Sequence, residues 1–126
     1  MDMYGEEVLD HWRNPRNFGS IESPSLVGRD ENSSCGDKVE FFLREEKGKI
    51  LEVKWWGEGC ALCMAGASLL SERVREIGNL ERVGRIGKDE VLGMVGIADL
   101  SPAREGCVTL GWEALRAAII KTNGLN

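Results

Sequence analysis

Residues 39–55 read Val-Glu-Phe-Phe-Leu-Arg-Glu-Glu-Lys-Gly-Lys-Ile-Leu-Glu-Val-Lys-Trp, and their alternation decides the fold class. Val39, Phe41 and Leu43 alternate with Lys38, Glu40 and Arg44, while Leu51, Val53 and Trp55 alternate with Glu52 and Lys54. That is the pattern of two strands with one buried face each, broken only by Phe42 on the polar side. Glu45-Glu46-Lys47-Gly48 joins them as a hairpin loop in which Gly48 supplies a positive φ. After Gly57-Glu58-Gly59 the apolar period lengthens: Ala67, Leu70, Val74 and Ile77 form a helical stripe, with Gly78-Asn79 as its stop signal.

Working outward, Glu6 to Arg13 predicts a short helix with Val8, Leu9 and Trp12 on one side, ending at Asn14-Pro15. A further strand is expected around Leu26 to Asp30. Leu80 to Gly96 reads as one or two short helices, with Asp89-Glu90 at a helix start. Val108, Trp112, Leu115 and Ile119 mark the last helix, which Gly124 ends. There are no repeats, low-complexity tracts or linkers, so residues 1–126 are expected to form a single α+β domain: a small antiparallel sheet packed against helices.

The chain has 126 residues, 42% hydrophobic and 29% charged, enough to bury a core without disulfide staples. Its net charge of -5 argues against nucleic acid or an anionic membrane as partner. With no long apolar run and an acidic start, the sequence reads as cytoplasmic. In a reducing compartment its four cysteines are ligands or reactive thiols sooner than disulfides.

Those cysteines stand in distinct settings. Cys35-Gly36-Asp37 puts a thiolate and a carboxylate two residues apart across a glycine turn, so both can converge on one ion. Cys60 follows Gly-Glu-Gly and opens a helix, where unpaired N–H groups suit an anion. Cys107 is read the same way, just before the last helix and three residues after Arg104. Thiolates and one carboxylate gathered from separate loops suit a soft metal or an iron–sulfur cluster, and the oxygen donor suits a site that must let its cargo go. Cys63 makes a Cys-x-x-Cys with Cys60. It reads as an extra ligand, a persulfide acceptor, half of a redox pair or a small buried hydrophobe. His11, the single histidine, is expected to be structural. Of Trp55 and Trp56 at least one belongs in the core.

Taken together these residues resemble the U-type iron–sulfur cluster scaffold family, comprising IscU, SufU and the N-terminal part of NifU. The resemblance is carried by the opening from Tyr4 through Asp10-His11 and Asn14-Pro-Arg-Asn-Phe-Gly19, by Cys35-Gly36-Asp37, by Gly57-Glu-Gly-Cys60 running into Met64 to Glu72, and by Pro102-Ala-Arg-Glu-Gly-Cys107. It implies a SufE/NifU-like fold with a sheet of about three strands. It also implies a [2Fe-2S] cluster, with zinc or iron as alternative occupant, held by Cys35, Asp37, Cys60 and Cys107. Cys107 would be the sulfur acceptor. The implied partners are a cysteine desulfurase and apo iron–sulfur proteins, with a homodimer allowed because two chains can share a cluster. Such a protein is a scaffold and not a turnover enzyme.

Three departures matter. Gly106 stands where IscU-type members carry histidine, and SufU-type members also lack that histidine. Leu100-Ser-Pro-Ala-Arg104 replaces the Leu-Pro-Pro-Val-Lys element that a chaperone reads. Cys63 stands where a small residue is usual, and with Cys35, Cys60 and Cys107 it would complete an all-thiolate set. The rival functions are a SufU-like zinc-dependent persulfide acceptor, against which the short Cys60–Cys107 segment argues, and a Cys60–Cys63 dithiol redox protein.

Overall fold

A computed structural model describes residues 5–33 and 36–124 of the chain, the side chains of 121–124 excepted. The elements run α1 (Glu6–Arg13), β1 (Leu26–Asn32), β2 (Asp37–Glu46), β3 (Lys49–Glu58), α2 (Ala61–Ile77), α3 (Leu80–Val83), α4 (Lys88–Met94) and α5 (Pro102–Gly124). The sheet has the order β1-β2-β3 and is antiparallel throughout. It is the expected α+β architecture.

The inward faces follow the alternation. Val39, Phe41, Leu43, Val53 and Trp55 are buried, whereas Lys54 and Trp56 lie half-buried on the other face. The hairpin turns on Lys47 and Gly48, both at positive φ (51° and 83°). Leu51 departs from expectation: it is exposed because the β2–β3 register shifts at Arg44/Glu45, where Glu45 pairs with Ile50 and Arg44 with Glu52. The bulge leaves Leu51 opposite no partner, and Ile50 packs against the core instead.

Helices cover the inward face of the sheet. α5 lies on β1 and β2, α2 lies on β3 and beside α5, and α1 and α4 pack outside them. Two glycines set how close these layers come. A Cβ at Gly28 would collide with the Ala114 carbonyl and the Ala118 N–H of α5. A Cβ at Gly66 of α2 would lie 2.6 Å from the Val108 carbonyl oxygen of α5. Backbone therefore rests on backbone at both contacts, and the two long helices share one apolar core with the sheet.

The N-terminal segment is tied down by polar groups. On α1 the buried residues are Val8 and His11, while Trp12 is 45% exposed, so the inward face is rotated from the Val8-Leu9-Trp12 stripe. The reason is the partner offered to His11. The Ser68 hydroxyl accepts the Arg16 N–H (2.9 Å) and donates to His11 Nδ1 (2.7 Å), and Nε2 faces Glu72 at 3.4 Å. The Glu72 carboxylate can only accept, so this arrangement suits an Nε2–H imidazole, and His11 has the structural role expected of it. The Trp55 indole N–H donates to the Arg16 carbonyl at 2.7 Å, and the Asn17 carbonyl accepts the Trp55 backbone N–H at 3.0 Å. Phe18 meets the same ring edge-on, centroids 4.9 Å apart. These contacts lay residues 16–19 along β3 and close that edge.

Two tests follow. Gly66→Ala drives a methyl group into the Val108 carbonyl and lowers stability by about 1–3 kcal/mol, read from urea unfolding; an unchanged midpoint would contradict the contact. Burial, with the Arg16 cation adding to it, pushes the His11 imidazole below its ordinary value. The unfolded chain then takes up a proton that the folded chain refuses, so stability falls as pH drops through about 6.5. The urea midpoint should decline between about pH 7.5 and about pH 5.5, and decline less in His11→Gln.

Candidate metal centre

Three side chains meet where β2 begins, β3 ends and the two long helices lie side by side. Ligand atoms of Asp37, Cys60 and Cys107 all fall within 4.8 Å of one another. Asp37 is the first residue of β2, delivered by a tight turn in which the Gly36 N–H (φ 78°) donates to the Asn32 carbonyl at 2.8 Å. Cys60 is the N-cap of α2, in extended geometry, and makes no side-chain capping bond. It is exposed, Cys107 is half-buried and Asp37 is buried. Cys35 lies outside the described residues, as does Tyr4.

Cys107 does not open its helix, contrary to the sequence reading. α5 starts five residues earlier at Pro102, because proline suits the first helical position and the Ser101 hydroxyl accepts the Arg104 N–H at 3.3 Å. The helix-start argument therefore applies to Cys60 and not to Cys107. What brings Cys107 to the site is the neighbouring Val108–Gly66 contact.

The chemistry of the donor set fits a thiophilic cation. Asp37 is only 7% exposed, and its Oδ2 is buried without a hydrogen-bond partner among the described residues. A buried carboxylate oxygen in that condition is unfavourable unless a cation answers it. The floor of the site is Gly59, where a Cβ would lie 2.8 Å from the Asp37 carboxyl carbon and 2.9 Å from the Cys63 sulfur. Two sulfurs and one oxygen from three separate elements leave one position open on a four-coordinate ion.

Cys63 is not one of the three converging residues. It sits in the first turn of α2, fully buried, with its sulfur under Gly59. Gly106 faces open space, with only the Asn32 side-chain nitrogen, 3.9 Å away, near a Cβ built there. The sequence signal for the Gly59 floor is the Gly-x-Gly before Cys60. No helix among the described residues is long and apolar enough to cross a membrane.

The family described as NifU-like N terminal domain matches residues 3–125. The chain belongs to this family. Among its relatives, the iron-sulfur cluster assembly scaffold protein IscU 1 of Archaeoglobus fulgidus is 33% identical over 94% of this chain and 75% of its own length. The zinc-dependent sulfurtransferase SufU of Bacillus subtilis is 29% identical over 98% of this chain and 94% of its own. Among solved structures, an iron-sulfur cluster assembly scaffold protein for the SUF system from Fervidobacterium islandicum superposes with a TM-score of 0.72. It is 28% identical and covers 93% of this chain and 96% of that one.

The site makes two predictions. Asp37→Asn keeps the shape of the side chain but removes the anionic oxygen donor, so zinc affinity should fall at least about tenfold. Gly59→Ala should lower zinc affinity by a similar factor with Asp37 intact, because the new methyl group occupies the floor. Competition with a chromophoric chelator measures both.

Proposed function

We propose that this protein is a scaffold for iron–sulfur cluster assembly, with Cys35, Asp37, Cys60 and Cys107 holding the cluster as cargo. The convergence of Asp37, Cys60 and Cys107 within 4.8 Å, in a chain of the NifU-like family, supports this reading above all else. The cargo is a [2Fe-2S] cluster, and zinc or iron occupies the same donors between rounds. The protein works with a cysteine desulfurase and with apo-proteins that accept the cluster, in the cytoplasm, and it does not turn over substrate as an enzyme.

Each residue has a task that follows from its chemistry. Cys107 receives sulfur: its thiolate attacks the outer sulfur of the desulfurase persulfide, a sulfur–sulfur bond forms, and the desulfurase thiolate leaves. Cys60, exposed at the start of α2, holds the cargo where an acceptor protein can reach it. Asp37 supplies the hard oxygen donor of the set, bound less firmly to iron than a thiolate and so the position at which an incoming acceptor thiolate enters. Its burial keeps that carboxylate aimed into the site.

A second reading, a zinc-dependent persulfide acceptor, is favoured by Gly106, which leaves no histidine beside Cys107. The likeness to Bacillus subtilis SufU agrees with it.

Anaerobic reconstitution with iron, desulfurase and cysteine separates the two. The scaffold gives a [2Fe-2S] absorption spectrum and transfers the cluster to apo-ferredoxin. Tightly held zinc that raises desulfurase turnover, with no cluster formed, would establish the second reading instead. In the same assay Asp37→Ala should slow transfer about tenfold, equivalent to about 1.4 kcal/mol in the barrier; faster loss would contradict the role given to the carboxylate.

A further inference from the structure

We infer that Cys60 and Cys63 act as a resolving pair that converts persulfide sulfur into sulfide at the site. The inference rests on the scaffold reading and adds to it a source of electrons. Sulfur arrives as a persulfide, whose outer atom is two electrons short of the sulfide that a cluster contains.

Cys60 is the N-cap of α2 and Cys63 is three residues on, in its first turn. Residues three apart at a helix start are neighbours on one face, about 5–6 Å apart at Cβ. Cys60 makes no side-chain capping bond to the helix. The two thiols differ in access: Cys60 is exposed and Cys63 fully buried, and neither is in a disulfide. That asymmetry assigns roles. Cys60 can take sulfur from outside, directly or from Cys107, whose sulfur lies within 4.8 Å. In the second case the Cys60 thiolate attacks the outer sulfur and the Cys107 thiolate leaves.

Burial also decides which sulfur Cys63 attacks. Attack on the outer atom would place an extra sulfur on Cys63, in a core position that has no exposure and is flanked by Gly59. Attack on the inner atom needs no such room. The Cys63 sulfur bonds to the Cys60 sulfur, the persulfide bond breaks, and the outer sulfur departs with both bonding electrons. Counted from the two free thiols and the sulfur delivered, each cysteine sulfur gives up one electron and the delivered sulfur gains two. The Cys63 proton leaves with it, so the products are a Cys60–Cys63 disulfide and hydrogen sulfide. A dithiol reductant restores the pair for a second round.

The test uses metal-free, fully reduced protein, stripped of reductant without oxygen and given one equivalent of glutathione persulfide. The wild type should release one sulfide per chain and lose two hydrogens in a peptide that maps to a Cys60–Cys63 disulfide. Cys63→Ala should keep the added sulfur as a persulfide, with sulfide at the protein-free background. Cys63→Ser, which preserves the volume of the buried side chain, should behave the same way. The inference is overturned by equal sulfide release from the variants, by no release from the wild type, or by a wild-type disulfide joining Cys60 to Cys107. Wild-type protein given iron and sulfide salts reports separately on the scaffold reading, since that route needs no persulfide.

Discussion

The constraint on which the molecule depends is the contact between α2 and α5 at Gly66, where a helix backbone lies directly against the Val108 carbonyl. One residue before Val108 is Cys107, and six residues before Gly66 is Cys60. Because the two helices meet without an intervening side chain, their leading segments arrive together at the end of the sheet where Asp37 begins β2. Gly28 does the same for α5 and β1. The site is built by the closeness of the sheet and the two long helices, and no single loop makes it.

A second tension runs through Asp37. A carboxylate at the rim of a domain would be solvated and would bind metal weakly. Buried, with one oxygen unanswered among the described residues, it is a side chain that a cation would satisfy. The same oxygen is the hard member of a soft donor set, which keeps the cargo exchangeable. Capture and release thus come from the burial and the chemistry of one side chain, while the Gly59 floor leaves room for both.

Strands β2 and β3, their hairpin and the α2 stripe were legible because burial on one face imposes a period that the residues display, whereas β1, α3 and α4 showed only as a strand near Leu26 to Asp30 and one or two short helices over residues 80–96. Leu51 was misread because a bulge between Arg44 and Glu45 shifts the register, and a bulge leaves no period behind. Trp12 was misread because a polar network, not apolar area, fixes the rotation of α1: His11 is drawn inward by Ser68 and Glu72, from 57 residues away in the first case. The start of α5 was placed too late because the apolar pattern begins only at Val108, whereas Ser101 and Pro102 nucleate the helix by capping. At the site, residue types and the resemblance named the candidates, but the convergence of Asp37, Cys60 and Cys107 is tertiary and could not be read from spacing. Nor could the burial of Cys63 beneath Gly59.

The central claim is that one buried carboxylate and thiolates from separate elements hold the cargo together. X-ray absorption at the iron edge of the reconstituted protein tests it most directly. The account predicts sulfur neighbours plus one oxygen scatterer that disappears in Asp37→Ala. An all-sulfur shell in the wild type, unchanged by that substitution, would contradict it.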